Sequence, residues 1–207
     1  MGHRRFFSVV VVAMMLGASG CGGGESSGLP DLEFMQFPAP AESPYCLPYP
    51  VGENARVSQA WGDTGTHRGR FAIDFTMPFG AEITAARDGR VVEMRDQYSD
   101  DDRTGGHENG VFVLHDDGTM ASYLHMSEEG VFVAVGDEVE IGQVLGLVGT
   151  TGTDVTHLHF EVFEGQGEGT QWYRTVPVSF ANAHEPLDEW GGLYKVSYES
   201  IPCTPHT

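Results

Sequence analysis

The chain has few basic residues. Its 207 residues include 11 Lys and Arg against 30 Asp and Glu, which gives a formal net charge of −19. Nucleic-acid affinity comes mostly from Lys and Arg that neutralise phosphates, and basic segments also hold proteins on anionic lipid surfaces. The acidic balance therefore argues against a nucleic-acid partner and against electrostatic binding to a membrane, while solubility explains it without any partner.

The sequence also lacks any stretch of ten or more residues with a sustained helical period of apolar side chains, and glycine is abundant. It contains short runs of alternating apolar and polar residues instead. These runs cover residues 71–75, 89–93, 111–115, 119–125 and 157–162, and Asp116-Asp117-Gly118 separates two of them as in a β-hairpin. The pattern predicts an all-β domain of antiparallel sheets.

The N-terminal segment has no apolar run long enough to span a bilayer. Arg4 and Arg5 precede the apolar residues 6–16 as in an export signal, and the small residues 18–20 lead into Cys21. This arrangement resembles a bacterial lipoprotein processing site, which implies removal of residues 1–20 and a lipid on Cys21. The alternative is an ordinary secretory signal that is cleaved near the same place. Cleavage would take the formal net charge to −21 because two basic and no acidic residues are lost.

Cysteine is scarce, with three residues in all. If Cys21 carries the lipid, Cys46 and Cys203 remain in an exported and therefore oxidising environment. An even number of cysteines at the two ends of the predicted domain favours one disulfide bond between them. The alternative is two free thiols.

These features divide the chain into four parts. Residues 1–20 are the predicted signal, 21–50 a lipidated Cys with a Gly/Ser tether and a proline-rich arm, 51–165 the β-sheet core, and 166–207 a C-terminal extension that packs on that core. We expect a monomer.

The strand at 157–162 carries histidines at alternate positions. His157 and His159 point to one face, while Leu158 and Phe160 point to the other and anchor the strand in a core. Two imidazoles on a rigid element suit a metal ligand beside a second ligand or an acid–base group. An isolated pair of this kind is more commonly two surface histidines on a half-exposed strand.

Other residues extend this pair to a possible zinc site, which needs three or four N, O or S ligands and, in an enzyme, one open position. The candidates are His67, Asp74, His125, His157 and His159. The other histidines beyond the predicted signal (His107, His115, His184 and His206) are expected to be structural, with His107 and His115 solvated. The acidic segment 96–102 is expected to be a solvated loop, with a calcium site as the alternative.

Several further motifs occur in a fixed order along the chain and include the histidine pair. They are residues 66–89, Tyr123-Leu124-His125-Met126, the segments 135–139 and 142–143, and Gly149-Thr150-Thr151-Gly152 leading into His157-Leu158-His159-Phe160-Glu161. Over residues 56–164 the chain resembles the lysostaphin-type, or β-lytic, zinc metallopeptidases of bacterial cell walls. The resemblance implies a β-sandwich-like peptidase core with an open groove.

The resemblance also implies roles for the candidate residues. His67, Asp74 and His159 would bind Zn²⁺, while His125 and His157 would flank the reacting centre as acid–base groups, in an order the sequence does not settle. Members of the family commonly have their first histidine four residues before the aspartate, where this chain has Arg70. Because a guanidinium has no lone pair to donate, the role passes to His67 across a loop with three extra residues.

The implied activity is zinc-dependent hydrolysis of peptide bonds in the stems or cross-bridges of peptidoglycan, by an enzyme anchored to a membrane of the cell envelope through Cys21. In a bacterium with two membranes we expect the outer one, because Gly22 stands where an inner-membrane lipoprotein commonly has Asp. Two alternatives remain. One is a non-hydrolytic module that activates partner cell-wall amidases, and the other is a peptidase that acts on another exported protein.

Overall fold

A computed structural model describes residues 37–61, 65–166, 172–183 and 197–203. The predicted signal, Cys21 and its tether, as well as His184 and His206, lie outside these residues. The described residues form eleven strands: β1 Asn54–Gln59, β2 Ala72–Thr76, β3 Glu82–Thr84, β4 Gly89–Arg95, β5 Asn109–Leu114, β6 Met120–Val131, β7 Glu138–Val139, β8 Val144–Val148, β9 Leu158–Gln166, β10 Trp172–Thr175 and β11 Ser197–Glu199.

The strands join in one antiparallel network, in the order β11-β1-β2-β9-β6-β5-β4-β7. The long strand β6 pairs with β5 and β9 over its first half, and its second half pairs with β8, which in turn pairs with β3. No α-helix occurs among the described residues, where a single 3-10 turn at Pro40–Glu42 is the only helical element. The predicted all-β, antiparallel architecture is confirmed.

The apolar residues of alternating strands meet in one core. Leu158 and Phe160 of β9 are fully buried, as the alternation predicted. Phe160 stacks edge-on or tilted against Tyr123 of β6 and Phe180, at ring-centroid distances of 5.3 and 5.7 Å. This packing fixes β9 in the middle of the sheet, so its opposite face holds polar side chains at defined positions.

Segments outside the central strands cover this core. Tyr49 from the proline-rich arm packs edge-on against Phe75 of β2, with ring centroids 5.6 Å apart, and Phe180 follows β10. The predicted disulfide between Cys46 and Cys203 is present, with Cα atoms 6.1 Å apart. It joins the arm to the segment after β11, and residues 184–196 of the predicted C-terminal extension lie outside the described residues.

The expectation that His115 is solvated is wrong. Its side chain lies at the β5–β6 hairpin but is only 3% exposed. The ring turns inward, where Nδ1 donates a hydrogen bond to the carbonyl of Asp88 at 2.7 Å and the ring of Tyr45 packs against it at 5.5 Å. Because the arm that carries Tyr45 is distant in sequence, the hairpin alone gave no sign of this burial.

The acidic segment forms a loop between β4 and β5. Asp100 in this loop accepts hydrogen bonds from the backbone N–H groups of Glu128 and Thr150, each at 3.0 Å. The carboxylate therefore ties three segments together, and the loop is more than a solvated connection. His107 beside it is part-exposed, pairing with Asp102 at 2.7 Å.

Across the part of the chain that the structure covers, we find no helix with the length and apolar character needed to cross a bilayer.

Candidate metal centre and active site

Two central strands bring together two of the predicted metal ligands, Asp74 and His159. Strands β2 and β9 pair with Asp74 directly opposite His159, and both side chains point away from the core. Asp74 Oδ1 lies 2.9 Å from His159 Nδ1. Each of these side chains is 9% exposed, so the pair reaches solvent over a small area.

A turn before β2 brings His67 to the same point. The backbone N–H of Arg70 donates to the carbonyl of His67 at 3.0 Å, and Gly69 takes the left-handed conformation with φ of 74°, which glycine adopts without strain. His67 is fully buried, with Nε2 3.2 Å from Asp74 Oδ1 and 3.3 Å from His159 Nδ1. His67 therefore lies three positions before Arg70, with Arg68 and Gly69 in a turn between them.

The three donor atoms fit a zinc ion. Tetrahedral ligands at Zn–N and Zn–O distances of about 2.0–2.1 Å lie about 3.3–3.4 Å from one another, and the three separations here are 2.9, 3.2 and 3.3 Å. Among the described residues, His67, Asp74 and His159 are the one group of three or more His, Cys, Asp or Glu side chains with donor atoms this close. The described acidic loop, residues 96–102, contains no such group.

The outer nitrogens of both histidines have acceptors. His67 Nδ1 donates to the carbonyl of Ala60 at 3.1 Å, and His159 Nε2 lies 3.4 Å from Glu161 Oε1. A proton held on the outer nitrogen leaves the inner nitrogen with the lone pair that a metal needs. Both imidazoles are therefore set to bind a cation through the inner nitrogen.

The electrostatics of the site also favour a cation. Burial opposes charge on Asp74, but hydrogen bonds with His159 and His67 hold its pKa well below the ordinary value. Burial would lower the pKa of His159, yet its hydrogen bonds with Asp74 and Glu161 raise that pKa to about 9. In the metal-free protein a proton on His159 thus supplies the positive charge that this position attracts.

His125 lies beside the metal position in a strained backbone conformation. Its φ is 66°, uncommon for a residue with a side chain and characteristic of functional sites. The pairing of β5 with β6 shifts at this point, since Asn109 faces Met126 while Gly110 faces Leu124. His125 is thus the extra residue of a β-bulge, which re-aims its ring.

His157 stands next to His125, with ring centroids 4.6 Å apart. His125 Nδ1 donates to the carbonyl of Thr151 at 2.7 Å, and His157 Nδ1 donates to the carbonyl of Val155 at 2.9 Å. In the neutral imidazole each Nε2 is therefore a proton acceptor, and that of His157 lies 3.5 Å from Asp74 Oδ1. Burial and the neighbouring His157 lower the pKa of His125 to about 4, so its ring is neutral at pH 7.

The structure thus gathers all five sequence-predicted residues at one site. The sequence alone indicated no role for Glu161 or Thr151, which contact His159 and His125 as described above. Strand alternation was the available signal for Glu161, because a residue two positions after His159 shares its face. No local signal pointed to Thr151, whose carbonyl meets His125 across 26 residues of sequence.

Known proteins of two kinds are similar to this chain in sequence. The chain is 34% identical over 179 residues to lysostaphin of Staphylococcus simulans, covering 77% of this chain and 31% of that protein. It is 33% identical over 94 residues to the murein hydrolase activator NlpD of Escherichia coli, covering 45% of this chain and 23% of that protein. The chain thus spans about a third or less of the length of these relatives.

A solved structure of a zinc-containing peptidase from Vibrio cholerae is also similar. It is 27% identical, with a TM-score of 0.45 over 58% of this chain and 37% of the other. The sequence model of peptidase family M23 matches residues 67–171, about half of the chain and the part that carries all five site residues. The chain belongs to peptidase family M23.

Proposed function

We propose that the chain is a zinc-dependent endopeptidase that hydrolyses peptide bonds in the stems or cross-bridges of peptidoglycan. The observation that carries this proposal is the convergence of His67 Nε2, Asp74 Oδ1 and His159 Nδ1 within 3.3 Å of one another, with His125 and His157 beside them. Membership of a peptidase family supports the reaction class.

The chemistry divides between the metal and the two flanking histidines. Zn²⁺ bound by the three donors would polarise the scissile carbonyl and lower the pKa of a water molecule toward 7. His125 and His157 have their Nδ1 protons tied to backbone carbonyls, so their Nε2 atoms accept a proton from the attacking water. The protonated imidazole then donates to the developing oxyanion or to the leaving amine.

A digestion experiment tests this function. The full-length protein is incubated with purified peptidoglycan sacculi, and the soluble fragments are analysed by mass spectrometry for new peptide termini. We expect fragments from cut stems or cross-bridges in the wild type and none in His159→Ala. Intact sacculi, with cleavage of exported proteins under the same conditions, would redirect the proposal to a different substrate.

Activation of a partner amidase is a second candidate, supported by the similarity to the Escherichia coli activator. Such a module would release fragments cut between sugar and peptide, and only when the amidase is present. The full set of five site residues in one place favours hydrolysis by the chain itself. Sacculi treated with the chain alone, with an amidase alone and with both separate the two functions.

We further propose that the enzyme is a membrane-anchored lipoprotein of the cell envelope. The support lies in the sequence, where small residues precede Cys21 and a glycine-rich tether at 22–28 follows it. The acyl chains on Cys21 would hold the protein at the membrane, and the tether would allow the active site to reach the wall.

A further inference from the structure

Glu161 is a buried carboxylate that the proposed chemistry does not use. It lies on β9 two residues after His159, on the same face of the strand, and is 1% exposed. A carboxylate without water is costly unless it is paired and hydrogen-bonded. Its position next to the metal site therefore calls for a physical explanation.

The first partner of Glu161 is the metal ligand itself. Glu161 Oε1 lies 3.4 Å from His159 Nε2, while Nδ1 of the same ring points toward Asp74 and His67. An imidazole that gives the Nδ1 lone pair to a metal carries its proton on Nε2. An acceptor at Nε2 selects this tautomer and limits rotation of the ring.

The second partner of Glu161 is Arg70, whose guanidinium forms a bidentate contact with the carboxylate. Arg70 Nε donates to Glu161 Oε2 at 3.1 Å, and Nη2 donates to Oε1. A bidentate contact of this kind fixes the orientation of a carboxylate and also balances its charge. Arg70 therefore fixes the carboxylate of Glu161 at the point where it meets His159.

We propose that Arg70 and Glu161 are positioning residues that act through His159 to set the affinity of the site for Zn²⁺. Arg70 stands four residues before Asp74, and the turn that follows His67 places its guanidinium at the outer edge of the site. The residue cannot bind metal, but it orients the carboxylate that orients a ligand. This inference rests on the proposed function only for the identity of the metal as Zn²⁺, and it does not depend on the proposed substrate or reaction.

An ordinary ion pair is the competing explanation, and the chain contains a matched example. Glu164, also on β9, pairs with Arg174 on β10, and both side chains are about half exposed. Exposed pairs of this kind contribute little. Glu164→Gln therefore removes an Arg–Glu contact from the same strand without touching His159, which makes it the control.

The experiment measures the dissociation constant for Zn²⁺ of the full-length protein by competition with a chromophoric chelator. Loss of a partner behind a metal ligand typically weakens binding 10–100-fold, and we expect a change in this range for Glu161→Met. Glu161→Gln keeps an oxygen for the His159 N–H and should fall between Glu161→Met and wild type. Glu164→Gln should match the wild type.

Two further measurements separate positioning from loss of structure. Nitrogen-15 NMR of the zinc-loaded protein should show the Nε2–H tautomer of His159 in the wild type and a broadened or shifted resonance in Glu161→Gln. Arg70→Ala should also weaken zinc binding, but it should add little when Glu161→Gln is already present, because Arg70 acts through that carboxylate.

Zinc affinities of Glu161→Gln and Glu161→Met equal to that of Glu164→Gln would overturn the inference even if the protein digests peptidoglycan. Conversely, weakened binding in the Glu161 variants of a protein that digests nothing would support the inference and reject the proposed reaction. A wild-type protein that binds no Zn²⁺ would reject the metal site itself and, with it, this role for the pair.

Discussion

Removal of the Cys46–Cys203 disulfide should lower stability by a large and calculable amount. The bond closes a loop across 157 positions of sequence. In the chain-entropy model a loop of that length restricts the unfolded chain by about 17 cal/mol/K, or about 5 kcal/mol at 25 °C. The variant Cys46→Ala/Cys203→Ala tests this value without leaving a hydroxyl group at the buried position of Cys46.

Native contacts near the bond should survive its removal. The backbone N–H of Cys46 donates to the carbonyl of Ala86 at 2.8 Å, and that of Leu47 donates to Asn182 Oδ1 at 2.7 Å. Because these hydrogen bonds hold the arm independently of the sulfurs, the main effect should fall on the unfolded state. The free energy of unfolding is then expected to drop while the folded structure and its zinc affinity stay the same.

The assay is calorimetric or denaturant-induced unfolding of the oxidised wild type and the double variant under identical conditions. For a chain of this size, a loss of about 5 kcal/mol corresponds to a fall in Tm of roughly 10–20 °C. A fall of less than about 2 °C would refute the loop-entropy reasoning. Loss of zinc binding in the folded variant would refute the claim that the bond and the metal site are independent.

Four other outcomes are expected. His159→Ala should abolish zinc binding, whereas His125→Ala and His157→Ala should keep the metal and lose about 10²-fold or more in activity. Metal analysis and enzyme kinetics on the same samples check this. Loss of metal from His125→Ala or His157→Ala would mean that the altered histidine is a metal ligand and not an acid–base group. Zinc occupancy and activity should fall together on acidification, because below its raised pKa of about 9 His159 binds a proton that competes with the metal, whereas His125, with its pKa lowered to about 4, stays neutral. Added Zn²⁺ should therefore move the acid limb of the pH–activity profile to lower pH. An acid limb that does not move would contradict competition between the proton and the metal as the cause. Burial lowers the pKa of His115, so on acidification the unfolded chain takes up a proton that the folded chain does not. The free energy of unfolding should therefore fall as the pH drops below about 6.5, with a slope up to about 1.4 kcal/mol per pH unit steeper than in His115→Gln. Equal slopes for the two proteins in denaturant titrations would refute this role of His115. Cys21→Ser should move the protein from the membrane to a soluble exported fraction or stall its processing, and equal solubility of both forms on fractionation would mean that there is no lipid anchor.

Features that depend on local pattern were predictable from the sequence. The alternation in 157–162 placed Leu158 and Phe160 in the core and both histidines on the other face, and the structure has this arrangement. The hairpin around Gly118 was equally clear, because a left-handed turn residue between two alternating runs is a local signal.

Features that depend on distant segments were not predictable in this way. His115 is buried because Tyr45 and the carbonyl of Asp88 reach it from other parts of the chain. The role of Glu161 likewise becomes visible only when the β2–β9 pairing brings Arg70 and Asp74 alongside it. No local pattern indicates the burial of His115, and strand alternation indicates only that Glu161 shares a face with His159.

The sequence by itself determined the strand pattern, the two faces of β9 and the set of residues able to bind a metal, because these follow from side-chain chemistry and the two-residue period of a strand. Only the tertiary structure decided that His67 reaches Asp74 by way of a turn at Gly69, that a bulge turns His125 into the site, and that backbone carbonyls fix which nitrogen of each flanking histidine is free. These are distances of a few ångströms between atoms on separate segments, and packing sets them where sequence spacing does not.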